Sequence, residues 1–226
     1  MRGSGTNRKA NNLRKKYIIF DFDGTLFDSN GIILDSWQAV FRHYTGAPGD
    51  EREIYRSFGE TIRYTSHRFF PNEDVDETVA LYRKYQEENY AGKIRLFDGI
   101  PELLDQLKDS GRSLSIVTSR TRKTSLEYID SLDIRKYFDV LVTCDDTDAH
   151  KPDPKPLLIA LDELGADKSE SIMLGDTKFD IGCGNNAGVE CALVGWSHDI
   201  DEAEMKSLGF RPDYRLQKPV DLLPLI

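Results

Sequence analysis

Asp21-Phe22-Asp23-Gly24-Thr25 sets two carboxylates two residues apart at the end of a short apolar run, Lys16 to Phe22. Alternation along a strand would turn Asp21 and Asp23 to the same side. At roughly 4 Å and an effective dielectric of about 20 their repulsion is on the order of 4 kcal/mol, so the pair needs a proton or a cation. A hard divalent ion such as Mg²⁺ suits oxygen donors and accepts phosphate oxygens into its shell. Gly24 frees the turn, and Thr25 adds a hydroxyl. A calcium loop would instead need Glu at its twelfth position, where Ile32 stands.

Other reactive side chains follow apolar runs of the same kind. Thr118-Ser119-Arg120 closes the run Ser113 to Thr118, and hydroxyls with neighbouring N–H groups there can hold phosphate oxygens. His150-Lys151-Pro152-Asp153-Pro154 follows Val140 to Thr143; its prolines stiffen a loop from which Lys151 can neutralise a phosphate or an attacking carboxylate. Gly175-Asp176-Thr177-Lys178-Phe179-Asp180 follows Ser171 to Gly175 and adds Asp176 and Asp180 where a helix begins. Taken singly, each block has an ordinary structural explanation, such as a helix cap or a solvated lysine. Taken together, they hold a nucleophile, an acid, a cation site and phosphate ligands, the components phosphoryl transfer needs.

The elements that must position these groups alternate. Cys191 to Val194 is a fifth apolar run, and helical patterns fill the intervals at Pro101–Ser110, Thr124–Leu132, Pro154–Leu164 and Phe179–Ala187. Such alternation predicts an α/β fold with a doubly wound, Rossmann-like parallel sheet, whose ligands bind beyond the carboxyl ends of the strands. The alternation fails from Gly31 to Ile94, where Trp37, Phe41, Tyr44, Tyr55, Phe58, Phe69, Tyr82 and Tyr85 recur at helical spacing as packing residues. The expected division is a disordered basic tail over 1–15, a core over 16–30 and 95–226, and an inserted all-helical cap over 31–94.

Composition narrows the classes. The 226 residues are 39% hydrophobic and 31% charged, with no apolar run near the roughly 18 residues of a membrane helix and no leader-like start, so a cytoplasmic enzyme is expected. Cys144, Cys183 and Cys191 lack metal-ligand spacing and read as free thiols. The net charge is −9, and residues 1–16 hold six basic and no acidic side chains, which leaves −15 on the remainder and argues against a nucleic-acid partner. Met1-Arg2-Gly3-Ser4-Gly5 has the look of an expression leader.

The blocks Asp21-x-Asp23-Gly24-Thr25, Thr118, Lys151 and Gly175-Asp176 with Asp180, in this order, resemble the haloacid dehalogenase superfamily. The residues between the first two blocks resemble the helical cap of its phosphoglycolate phosphatase-like and pyrophosphatase-like branch. The resemblance implies an Mg²⁺-dependent, phosphoglycolate phosphatase-like enzyme acting on a small phosphorylated metabolite, with inorganic pyrophosphate as the alternative substrate. By the same resemblance Asp21 is the nucleophile, Asp23 the acid and base, and Thr118, Ser119 and Lys151 the phosphate ligands. Asp21, the Asp23 carbonyl and Asp176 would hold Mg²⁺, with Asp180 a direct or outer partner. In the cap, Arg63 is expected to reach the non-transferred end of the substrate. A β-phosphoglucomutase-like mutase is the alternative on the same core; a receiver-like switch fits poorly, because receivers are shorter and carry no inserted cap. Sequence leaves the oligomeric state open.

Overall fold

Along β1 (Tyr17–Phe20) the side chains alternate between two hydrophobic cores, Ile18 and Phe20 entering one and Ile19 the other. A strand buried on both faces belongs to the middle of a sheet covered by helices on each side. The computed structural model describes residues 15–90, 92–198 and 202–226, and has that arrangement. Six parallel strands run in the order β3-β2-β1-β4-β5-β6, with β2 (Ser113–Val117), β3 (Val140–Val142), β4 (Ser171–Gly175), β5 (Glu190–Val194) and β6 (Tyr214–Leu216). The helices α5 (Ile100–Asp109) and α6 (Arg122–Ser131) bury Leu103, Leu104, Leu107 and Ile129 in the first core. On the opposite face α7 (Lys155–Leu164) and α8 (Lys178–Ala187) bury Leu157, Ala160, Leu161, Cys183 and Ala187 in the second. The doubly wound α/β fold read from the sequence is therefore the observed one.

The sequence pattern missed two elements. β6 and α9 (Glu202–Ser207) are short and half exposed, so neither carries a hydrophobic run. The expected tail, 1–15, also reaches one residue into the core. Residues 1–14 lie outside the described residues, but Lys15 is buried and belongs to the core, its ammonium donating to the Ser169 carbonyl at 2.8 Å and lying 3.3 Å from Glu190.

Between β1 and α5 the chain forms α1 (Asn30–Thr45), α2 (Glu51–Arg56), α3 (Ile62–Phe69) and α4 (Val75–Tyr90). Asp50 and Thr61 cap α2 and α3 through side-chain oxygens that accept from the first free backbone N–H groups. These helices bury a cluster of their own around Trp37, Val40, Ile54, Phe58, Phe70 and Tyr82. Trp37 packs edge-on to Phe69 at 5.4 Å and tilted against Tyr82 at 4.7 Å, which accounts for the aromatic spacing. Among the described residues no helix is long and apolar enough to cross a membrane. All three cysteines are free; burial pushes the Cys183 and Cys191 thiols up to about 12, which makes them poor nucleophiles.

Candidate active site

Parallel strands deliver their carboxyl ends to one edge, and the residues just past β1, β2 and β4 are Asp21, Thr118 and Asp176. The loop after β3 returns Lys151 to the same edge. Its ammonium, 1% exposed, donates to Asp21 Oδ1 at 2.7 Å, to Asp180 Oδ1 at 2.6 Å and to the Val117 carbonyl at 3.2 Å. Burial works against the lysine's charge, but Asp180 and Asp21 outweigh it and hold its pKa above the ordinary value. For Asp21 the balance runs the other way: burial, and then the neighbouring Asp180, push its carboxyl well up despite Lys151.

Asp176 accepts two hydrogen bonds and has a histidine alongside. Thr25 Oγ1 donates to one oxygen at 3.1 Å, Ser197 Oγ donates to the other at 3.0 Å, and His198 Nδ1 lies 3.4 Å from that second oxygen. Asp180 closes the capping box of α8, whose N-cap is Thr177: its Oδ2 accepts from the Thr177 amide at 3.0 Å and hydroxyl at 2.6 Å while its Oδ1 accepts from Lys151, so both oxygens are engaged. Asp21, Asp176 and Asp180 are buried and each offers an oxygen within 4.8 Å of the others. Gly24 makes the crowding possible, because at φ +72° a Cβ there would lie 2.1 Å from Asp176 Oδ2.

Asp23 departs from the expected pairing. The chain leaves the strand at Asp21, the two-residue alternation ends with it, and the Asp23 carboxylate meets Arg120. The guanidinium grips it through both oxygens at 2.9 and 2.7 Å and stacks over Tyr128 at 4.4 Å. The close group of three carboxylates is therefore Asp21 with Asp176 and Asp180, and Asp23 lines the same cavity paired with Arg120. Arg120 had no role in the sequence reading, although its position two residues past Thr118 at a strand end was the available signal.

Ser119 and Arg63 also behave differently from expectation. Ser119 gives its hydroxyl proton to the Gly59 carbonyl at 2.6 Å, which ties the helical insertion to the core. Arg63 is exposed, pairs with Asp76, and does not line the cavity over the strand ends; its helix turns that face to solvent. The cavity, about 90 Å³, is lined by Asp21, Asp23, Thr118 and Lys151 from the core and by Phe58 and Arg83 from the insertion. His198 stacks on Tyr55 at 5.7 Å and meets Phe58 edge-on at 5.2 Å, adding a second junction between insertion and core.

The insertion reaches the core through a turn that requires glycine. Gly59 has φ +91°, and a Cβ there would lie 2.7 Å from Thr177 Oγ1 and 2.8 Å from the Phe179 ring. Gly59→Ala is expected to hold the turn off the strand ends and lower kcat/KM by about tenfold or more through backbone strain and lost closure. Steady-state kinetics check this, and an unchanged kcat/KM would mean that the turn need not approach Thr177.

Residues 18–194 match a family model described as haloacid dehalogenase-like hydrolase. The chain is 36% identical over 206 residues to pyrophosphatase PpaX of Bacillus velezensis, covering 91% of this chain and 94% of that one. It is 34% identical over 209 residues to pyrophosphatase PpaX of Halalkalibacterium halodurans, covering 92% and 95%. Among solved structures, a protein of Lactobacillus plantarum assigned provisionally as a phosphoglycolate phosphatase superposes with a TM-score of 0.80 at 27% identity, covering 95% and 100%.

Proposed function

We propose, because this chain belongs to the haloacid dehalogenase-like hydrolase family and is an enzyme of its phosphatase type, that Asp21 is its nucleophile and inorganic pyrophosphate its first substrate. One observation carries the site: Lys151 joins Asp21 and Asp180 at 2.7 and 2.6 Å on the strand edge that faces the cavity. An Asp21 oxygen attacks phosphorus, the bond to the leaving oxygen breaks, and Asp23 supplies that oxygen's proton. Water then attacks the aspartyl phosphate, giving its proton to Asp23 and releasing phosphate. Lys151 and Thr118 hold the oxygens of the transferring group, and Arg120 fixes where the Asp23 carboxylate stands.

The oxygen-only donor set of Asp21, Asp176 and Asp180 fits a hard cation, and Mg²⁺ is the proposed one. Because Asp180 already serves Lys151 and Thr177, Asp21, Asp176 and the Asp23 carbonyl would hold the ion, with Asp180 supporting from behind. When bound, the ion neutralises charge on the phosphoryl group. Phosphate release is expected to fall about a hundredfold or more in excess EDTA and to return with added Mg²⁺. Full activity in the chelator would remove the metal from this reading.

Sequence reading alone placed a phosphoglycolate-like monoester first. The PpaX relatives, matched over nine-tenths of their length, move pyrophosphate ahead of it. Phosphoglycolate remains the second reading, on the Lactobacillus plantarum likeness. Phosphate release from pyrophosphate, phosphoglycolate, glucose 1-phosphate and nucleotides under Mg²⁺ tests the order; a preference for nucleotides would overturn it. A cytoplasmic location belongs to this reading, in keeping with three free thiols.

A further inference from the structure

Two side chains on α4 point at the same cavity and have little to bind there. Arg83 lines it half-buried, and its one hydrogen bond among the described residues, at 3.1 Å, runs from Nη2 to Thr121 Oγ1. Among the described residues no carboxylate lies within ion-pair distance of it. Burial, and then the nearby Arg120, push its pKa below the usual arginine value, although a guanidinium stays charged. One helical turn on, Gln86 is 6% exposed, lines the same cavity, and has a buried amide nitrogen with no acceptor. Withdrawing from water a guanidinium with a single hydroxyl acceptor and an amide nitrogen with none is costly. An anion in the cavity would satisfy both.

Position says which anion. Asp23 protonates the leaving oxygen, and Asp23 is held by Arg120, which adjoins Arg83. Whatever is attached to the leaving oxygen must therefore extend past Asp23 toward α4. Arg120 has Asp23 to neutralise it, so the uncompensated charge on that side is Arg83's. We propose that Arg83, assisted by Gln86, is the specificity-determining residue that holds the non-transferred phosphoryl group of pyrophosphate. This rests on the function proposed above and deepens it. A guanidinium fork and an amide together present donors for a three-oxygen group, whereas a carboxylate would be served by the fork alone.

The test separates this role from a strut holding the insertion to Thr121. Kinetics are measured on wild type, Arg83→Ala, Arg83→Lys, Gln86→Ala and Thr121→Val, with pyrophosphate, phosphoglycolate and p-nitrophenyl phosphate, which has no second anion. For Arg83→Ala, kcat/KM on pyrophosphate is expected to fall about tenfold to a hundredfold further than on p-nitrophenyl phosphate, mostly through KM. Arg83→Lys should recover part of that ratio, and Gln86→Ala should show a smaller one. Equal losses on both substrates, or the same ratio from Thr121→Val, would overturn the proposal. A loss on phosphoglycolate as large as that on pyrophosphate would overturn the preference for a phosphoryl group. Calorimetric binding of methylenediphosphonate with Mg²⁺ to the same proteins needs no turnover: Arg83→Ala is expected to weaken it about tenfold or more. If wild type releases nothing from pyrophosphate, the substrate reading fails, and this binding result still decides the role of Arg83.

Discussion

Asp21→Asn is expected to lower phosphate release by on the order of 10⁴-fold in kcat and to leave the protein folded. The substitution keeps the shape of the side chain and removes only the attacking oxygen's charge and nucleophilicity. Folding should not suffer, because Lys151 retains Asp180 as its partner at 2.6 Å. In metal-free protein the variant should be as stable as wild type or more so. Burial and Asp180 make the Asp21 charge costly, which is why its carboxyl is pushed up, and a neutral amide avoids that cost. Phosphate release with excess Mg²⁺ and a thermal melt in EDTA measure the two halves. Residual turnover within about tenfold of wild type would place the nucleophile elsewhere.

The next largest effect is expected from Lys151→Met, which fills similar space without the charge. Here activity and stability should fall together. The ammonium is 1% exposed and touches two carboxylates and a carbonyl, so its removal leaves Asp21 and Asp180 buried without their cation. Breaking a buried ion pair in this way costs about 3–5 kcal/mol, a Tm loss of roughly 6–20 °C for a chain of this size. Losing a charge that faces the transferring group should lower kcat by about 10²–10³-fold. Mg²⁺ is expected to restore part of the Tm and little of the kcat, because an added cation can neutralise the carboxylates without occupying the lysine's place. A variant that melts with wild type would show that the carboxylates find other partners; one that keeps its kcat would remove Lys151 from the chemistry.

The family blocks were legible because each is short, lies at the end of an apolar run and has chemically specific residue types. Ser171–Gly175 was read with the same bounds it has in the structure, and the other strands differ by a residue or two at their ends. Strand ends blur because the last residues of an apolar run can pair or turn without a change in hydrophobicity. β6 was missed because Tyr214-Arg215-Leu216 at a sheet edge buries one side chain and needs no apolar run.

By itself, the sequence determined the fold class, the helical insertion and the strand edge where Asp21, Thr118, Lys151 and Asp176 meet. The reason is that periodicity and parallel topology constrain where the carboxyl ends of strands go. Partner choice was left to the tertiary structure. Asp23 and Asp180 were both read as acidic residues at or just past the end of an apolar run, yet one meets Arg120 and the other Lys151. Arg63 was expected to face the substrate and Arg83 was given no role, yet α3 turns Arg63 to solvent and Asp76 while α4 turns Arg83 into the cavity. Nothing local distinguishes such pairs, because a helical side chain's environment depends on how the helix rolls against its neighbours, and that roll is fixed by packing around Trp37 and Tyr82.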